Sequence, residues 1–176
     1  MSQEADPTDP MPTSESAYGD AYKEHLFRQY TMYVESAHRV STRRALANTF
    51  FLTASTILLS VDGFSTSQQV YRMTGYGLLF LLVFTVGSAV LSFTWFLVLR
   101  SYDKLNGGKF EVIHRLEKAL PASLYSAEWA ILGGGKDPRK YRPISKLEAD
   151  VPLVFVAIYA ALFVATVASY LLQVGL

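Results

Sequence analysis

The sequence has no cysteine, and three long stretches of it contain no Asp, Glu, Lys or Arg. Without cysteine the chain forms no disulfide, no thiolate metal site and no thiol nucleophile. The charge-free stretches are residues 45–61, 73–99 and 151–176, which are 17, 27 and 26 residues long. About 20 apolar residues in a helix span a hydrocarbon core of roughly 30 Å. The absence of charge therefore predicts three membrane spans.

Lysine and arginine are scarce on one side of these spans. Residues 1–44 contain five of them, the 62–72 segment contains one, residues 100–147 contain ten, and none follows. Segments rich in Lys and Arg stay on the cytoplasmic side of a membrane. We therefore expect the N-terminus and the insert between the second and third spans in the cytoplasm, with the 62–72 loop and the C-terminus outside.

Proline and glycine, which interrupt helices, are both absent from Asp20 to Asp62. This absence predicts one continuous helix that is amphipathic at first and then enters the membrane. The expected segments are a disordered acidic tail (1–17), a cytosolic amphipathic helix (18–44), spans at 45–61, 73–99 and 151–173, an external loop (62–72) and a cytosolic helical insert (100–150). The predicted fold class is an all-α polytopic membrane protein with three transmembrane helices, a long N-terminal helix extending into the cytoplasm and a helical cytosolic insert.

The insert is predicted to contain two short helices followed by a loop. The helices are expected from after Gly107–Gly108 to Pro121 and from Ser123 to Leu132, and the loop at 133–143. Ser145 and Glu148 have the spacing of a capping box that would open the third span. Pro152 would then lie in its early turns, where a missing N–H matters least.

Hydroxyl residues form the most specific polar pattern inside the spans. Thr49, Thr53, Thr56 and Ser60 recur on one face of the first span. In a ring of subunits such a face could line a pore, but in lipid Ser and Thr more often bond their own helix carbonyls or join neighbouring helices. Ser88 and Ser92 form a small-xxx-small pair that permits close helix approach. We predict no charged residue in the core of any span, which argues against a conventional ion-coupled transporter.

Motifs for catalysis and for metal binding are missing. The glycine-rich segment 133–137 lacks the leading Gly and the Ser or Thr of a phosphate loop. The three histidines have no partner carboxylates at metal-ligand spacing. We expect no enzymatic activity, no catalytic residue, no metal, no cofactor and no nucleic-acid partner.

Two residue sets are candidates for contacts outside the spans. Four basic residues are predicted to contact an anion or the anionic headgroups on the cytoplasmic side, namely Lys136, Arg139, Lys140 and Arg142. Six aromatic residues are predicted to mediate cytosolic packing or oligomer contacts, namely Tyr22, Tyr30, Tyr33, Phe110, Tyr125 and Trp129. An amphipathic helix that one small protomer cannot cover favours a homo-oligomer.

Three segments resemble a known family. They are residues 22–56 (YKEHLFRQYTMYVESAHRVSTRRALANTFFLTAST), 96–129 (FLVLRSYDKLNGGKFEVIHRLEKALPASLYSAEW) and 135–155 (GKDPRKYRPISKLEADVPLVF). This pattern resembles the RipA family of small octameric bacterial inner-membrane proteins, named for a factor required for intracellular proliferation of a pathogen. The resemblance implies a bacterial inner-membrane homo-oligomer of eight copies, and it implies no reaction and no active-site residues.

Three classes of function remain open. The first is a non-enzymatic, homo-oligomeric scaffold or regulatory protein of the inner membrane, acting in stress adaptation or intracellular proliferation. The second is a channel-like ring whose pore is lined by the hydroxyl face of the first span. The third is a membrane-anchored module that binds an anion or another ligand through the 133–142 loop. The scaffold hypothesis is favoured because no site for chemistry is recognisable.

Overall fold

The computed structural model describes residues 8–68 and 76–174. Helices joined by short connections make up these two ranges, and no strand occurs within them. The helices are α1 (Glu15–Tyr18), α2 (Tyr22–Ser67), α3 (Gly77–Glu117), α4 (Leu124–Ile131) and α5 (Ile144–Val174), with a 3-10 turn at Gly133–Gly135. The predicted all-α class is therefore confirmed.

Three of the helices, α2, α3 and α5, are long and apolar enough to cross a membrane. They contain the charge-free stretches of the sequence, the second of them from Gly77 onward and the third as far as Val174. This confirms the prediction of three transmembrane helices. The chain is a polytopic membrane protein.

Contacts between the helices divide the chain into two compact units. The membrane unit comprises Arg44–Ser101 and the residues from Ile144 onward, and the polar unit comprises the residues up to Arg43 together with Tyr102–Pro143. Both α2 and α3 continue through the boundary, so each helix contributes to both units.

The α2 helix continues to Ser67, beyond the predicted end of the first span at residue 61. Asp62 and the residues after it are therefore helical, whereas the sequence analysis placed them in an external loop. Asp62 is buried against α3 and accepts a hydrogen bond from the Thr85 hydroxyl, which extends the pairing of α2 and α3. Residues 69–72 of the predicted loop lie outside the described residues.

The α3 helix runs without interruption through Gly107–Gly108, so the predicted helix start after these glycines is wrong. A helical glycine costs about 1 kcal/mol relative to alanine, and contacts in the polar unit offset this cost. Lys109 donates to the Ser36 hydroxyl of α2 at 2.8 Å, and Ile113 is fully buried. These contacts hold the turns that follow the glycines in a helical conformation.

The α5 helix begins at Ile144, which changes the predicted roles of three residues. Ser145 lies within the first turn instead of capping it, and Glu148 accepts a hydrogen bond from the Arg44 guanidinium of α2. Pro152 lies in the helix interior, where it cannot donate to the Glu148 carbonyl. The contact between α2 and α5 therefore replaces the predicted capping box.

The described part of the predicted disordered tail is packed within the polar unit. The α1 helix begins within it, and the Arg115 guanidinium donates to the Thr8 carbonyl at 2.8 Å. The segment from Pro10 to Pro12 lines a cavity together with Tyr18 and Tyr22. The proline-rich segment therefore lies beside the aromatic side chains of Tyr18 and Tyr22. Residues 1–7 lie outside the described residues.

Candidate functional site

A row of buried polar side chains runs between the three helices of the membrane unit. We call it the polar seam, and its members are Ser55 and Asp62 of α2, Thr85, Ser88 and Ser92 of α3, and Tyr159 of α5. Each of them is at most 2 % exposed. Polar groups in an apolar environment are expensive unless they are hydrogen-bonded, so the bonds within the seam determine what it can do.

One end of the seam is a carboxylate served by a single hydroxyl group. Thr85 Oγ1 lies 3.0 Å and 2.9 Å from the two carboxylate oxygens of Asp62, and 2.9 Å from the carbonyl oxygen of Leu81. One hydroxyl proton is thus shared among three acceptors. No basic side chain of the described residues forms an ion pair with Asp62.

The middle of the seam joins all three helices through hydroxyl groups. The Tyr159 hydroxyl of α5 donates to the Ser55 carbonyl of α2 at 2.8 Å. The hydroxyl oxygens of Ser55 and Ser92 are 3.5 Å apart, and Ser92 donates to the Ser88 carbonyl of its own helix. Small side chains on α2 and α3 permit this close approach. The seam thus links the helices through hydrogen bonds in addition to apolar packing.

The predicted hydroxyl row on the first span is exposed, in contrast to the buried polar seam. All four of its residues are exposed in the protomer. Three of them donate to carbonyls one turn back in α2: Thr49 to Ala45, Thr56 to Leu52 and Ser60 to Thr56. Thr53 is exposed on the same helix. The row is therefore available to lipid, to water or to another subunit, with most of its hydroxyl protons already engaged.

The polar unit contains a second buried carboxylate, Glu117 at the end of α3. It accepts hydrogen bonds from the backbone N–H groups of Tyr125 and Ser126 at 2.8 Å and 3.0 Å, and from the Ser126 hydroxyl at 2.9 Å. These N–H groups belong to the first turn of α4, and N–H groups in the first turn of a helix have no acceptor within that helix. Glu117 therefore caps α4 from a different helix, and the Tyr30 hydroxyl of α2 adds a fourth donor at 3.3 Å.

The pKa values of Glu117 and Tyr30 reflect the same contacts. Burial acts to raise the pKa of Glu117, but the hydrogen bonds from Tyr125, Ser126 and Tyr30 outweigh it and hold that pKa below its usual value. Burial and the nearby Glu117 charge raise the pKa of the Tyr30 phenol to about 12. The pair is therefore an ionised carboxylate and a neutral phenol at neutral pH.

Four of the six aromatic packing candidates lie at contacts among α2, α3 and α4 in the polar unit. Tyr30 bonds Glu117, the Tyr33 ring lies 4.6 Å from Lys109 Nζ, and the Phe110 and Tyr125 rings are 5.7 Å apart. The other two are elsewhere. Tyr22 packs on Tyr18, with ring centroids 5.9 Å apart, and Trp129 lies beside the glycine-rich turn.

The four basic candidates lie in the loop that follows this turn, and all four are exposed. The turn itself needs glycine, because Gly133, Gly134 and Gly135 all have positive φ angles. At Gly135 a Cβ atom would come within 2.8 Å of the Trp129 ring. Lys136, Arg139 and Lys140 are thus presented by a turn whose path is fixed against α4.

A metal site is not formed by the described residues, since no three of their His, Asp or Glu side chains come together. His25 Nδ1 is 2.9 Å from the Tyr18 hydroxyl, and the His114 ring lies 6.3 Å from that of Phe110. His38 is exposed on α2.

Two of the buried groups, Asp62 and Glu117, were missed by the sequence analysis. The signal for Asp62 is its position seven residues after Ser55, on the same helix face, with Thr85, Ser88 and Ser92 at matching spacing on α3. Glu117 has no comparable signal, because its partners belong to a helix whose position is set only by the fold.

The three apolar helices, joined internally by hydrogen bonds, and the charged helical unit define the class of this protein as a polytopic α-helical membrane protein. Its family follows from comparison. The model of the octameric membrane protein family matches residues 27–168, and the chain belongs to that family. This confirms the resemblance to a family of octameric membrane proteins, and it indicates a homo-oligomeric membrane protein. The comparisons with curated proteins and with solved structures found no match.

Proposed function

We propose that the chain is a non-enzymatic, homo-oligomeric scaffold or regulatory protein of the bacterial inner membrane, assembled from eight copies and displaying the polar unit in the cytoplasm. Its role would be in stress adaptation or in intracellular proliferation, the process for which the RipA family is named. The assembly presents eight polar units side by side, and such an array is suited to gathering or regulating other components.

The observation that carries this proposal is the exposure of large apolar side chains in the polar unit. Phe27 and Met32 of α2 are 59 % and 58 % exposed, and Leu105 of α3 is 51 % exposed. These residues lie outside the charge-free stretches, so none of them belongs to a predicted membrane span. Exposed apolar surface of this kind marks protein contacts. Membership of an octameric family makes other copies of the chain the first candidates for covering it.

The mass of the detergent-solubilised protein tests the assembly. We expect eight copies for the unaltered chain, and smaller species when Phe27→Asp and Met32→Asp are combined. The matched control combines Leu124→Asp and Ile131→Asp, which change two apolar residues on α4 that are even more exposed and should leave the mass unchanged. A monomer at all concentrations would refute the proposal.

The orientation has its own test, because the chain lacks cysteine. A single cysteine at the exposed position Lys118 of the polar unit is expected to react with an impermeant maleimide only after intact cells are opened. Reaction in intact cells would place the polar unit outside and contradict the proposed topology.

A channel-like ring is the second candidate, and the exposure of the hydroxyl row on α2 favours it. If Thr53 and Thr56 line a pore, changing both to leucine should alter ion flux through vesicles that contain the protein. Thr94→Leu is the matched control, since Thr94 is an exposed hydroxyl residue on α3 that also donates to its own helix. Vesicles without any flux for the unaltered protein would eliminate the channel.

A further inference from the structure

The α4 helix has one attached side and one open side. Tyr125 and Ser126 hold it to the polar unit through Glu117, and Tyr125 also packs on Phe110. The helix nevertheless contains no buried residue. Leu124 is 69 % exposed and Ile131 is 77 % exposed. Residues seven apart lie on the same helix face, so the open side of α4 presents two large apolar side chains.

Basic side chains follow this open face directly. The segment from Leu124 to Pro143 contains four Lys or Arg residues against Glu128 and Asp137, a net charge of +2. Lys136, Arg139 and Lys140 are exposed, and the backbone path that presents them is fixed by the packing of Trp129 on the glycine turn. An apolar face beside a basic loop is the chemistry of a surface that binds anionic lipid headgroups.

Covalent continuity limits how far this loop can be from lipid. The loop ends at Pro143, α5 begins at Ile144, and the third charge-free stretch begins at Val151. Seven helical residues rise about 10 Å, and the polar layer of a bilayer on each side is of similar thickness, roughly 5 to 8 Å. The basic loop is therefore tethered at about the depth of the headgroups.

We propose that the open face of α4 and the basic residues Lys136, Arg139 and Lys140 together form an interfacial anchor for anionic phospholipid headgroups. The basic side chains bind headgroup phosphates, while Leu124 and Ile131 enter the boundary between headgroups and acyl chains. Glu117 contributes indirectly, because it holds α4 with this face outward. The anchor does not depend on the number of subunits.

Site-directed spin labelling of the full-length protein in vesicles tests the anchor, since a chain without cysteine accepts a single label cleanly. Ile131→Cys carries the label, and the vesicles contain either phosphatidylcholine alone or phosphatidylcholine and phosphatidylglycerol in equal parts. The matched control is Glu24→Cys, an exposed position that lies about 30 Å from Arg44 along α2.

With phosphatidylglycerol present, the label at 131 should collide more with oxygen than with a water-soluble nickel chelate, whereas the label at 24 should favour the chelate. Combining Lys136→Gln, Arg139→Gln and Lys140→Gln should abolish most of the oxygen excess at 131, and Glu128→Gln should increase it. These three basic side chains are exposed, so their replacement leaves the fold intact.

Two results would overturn the anchor. A label at 131 that is as accessible to the chelate as the label at 24, in both kinds of vesicle, would place the face in water. Spin–spin coupling at 131 that is unaffected by phosphatidylglycerol and by the charge changes would assign the face to a subunit contact. The mass of the same samples is measured separately, so a failure of the anchor is distinguished from a failure of the proposed assembly.

Discussion

The two units of this protein bury carboxylates in opposite ways. In the polar unit, Glu117 accepts four hydrogen bonds, two of them from backbone N–H groups that have no partner in α4 itself. In the membrane unit, Asp62 receives one shared hydroxyl proton, and that hydroxyl already has a carbonyl partner in its own helix. Removing Glu117 therefore leaves part-buried donors unsatisfied, whereas removing Asp62 leaves none unsatisfied among these partners.

This difference shows that burial alone does not indicate how much a charged group contributes to the fold. The relevant quantity is the number of groups that lose a partner when the carboxylate is removed. By that measure Glu117 is part of the architecture of the polar unit, because α4 depends on it. Asp62 is far less necessary to the helices that enclose it.

The largest effect is expected from Glu117→Ala. The change removes the cap of α4 and leaves the part-buried N–H groups of Tyr125 and Ser126 without an acceptor, so we expect a loss of about 3 kcal/mol in unfolding free energy. Denaturant unfolding in detergent measures it, and faster hydrogen exchange should be confined to α4 and its neighbours. Glu111→Ala is the control, because Glu111 forms only an exposed pair with Arg115, and its loss should cost less than about 0.5 kcal/mol.

The contribution of Glu117 should also make the stability of the protein depend on pH. Folding lowers the pKa of Glu117 below its usual value of 4.5, so its contribution is fully present above that value and is lost as the pH falls through the lower folded value. We therefore expect the unfolding midpoint of the unaltered protein to fall in this acidic range more than that of Glu117→Gln. Identical acid profiles for the two proteins would show that Glu117 is not ionised in the folded state.

A smaller effect is expected in the membrane unit from Tyr159→Phe. The change removes the hydrogen bond from α5 to the Ser55 carbonyl, which as a helical carbonyl keeps its own backbone partner. We expect a loss of about 1 kcal/mol in unfolding free energy, in the range of other hydrogen bonds between membrane helices. Tyr170→Phe, at a position that is 39 % exposed, serves as the control and should have no measurable effect.

Much of the fold follows from the sequence because the absence of charge reports directly on the solvent around a helix. The three spans and the all-α class were predicted in this way. The breaks were predicted less well. Gly107–Gly108 lie inside α3 instead of preceding a new helix, since a cost of about 1 kcal/mol for each helical glycine is outweighed by packing on neighbouring helices. The end of α2 also differs from the prediction, because Asp62 is bonded to Thr85 and does not mark the end of the helix.

The candidate site was predicted least well, and for a similar reason. Ser88 and Ser92 were predicted to permit close helix approach, but the sequence does not indicate that Ser92 meets Ser55 of α2 or that Ser55 is bonded by Tyr159 of α5. Neither hydrophobic periodicity nor residue spacing reports a contact between residues that are 104 positions apart, such as the bond from Tyr159 to Ser55. The role of Glu117 likewise depends on where α4 is placed by the fold.

The smallest effect is expected from Asp62→Asn, which tests the other side of the comparison. The asparagine amide supplies donors of its own, so Thr85 can give its single proton to the Leu81 carbonyl while its oxygen accepts from the amide. We expect the unfolding free energy to change by less than about 1 kcal/mol. Asp62→Ala, which removes the side chain, separates the loss of packing from the loss of charge.

If Asp62→Asn destabilises the protein as strongly as Glu117→Ala does, the Asp62 charge has an ionic partner beyond the Thr85 hydroxyl, and the contrast between the two units fails. If stability is unchanged, the fold does not require the carboxylate that is buried at the end of this membrane helix. Ionisable groups in such positions are commonly functional, so the assembly mass and the ion flux through vesicles should then be compared between Asp62→Asn and the unaltered chain.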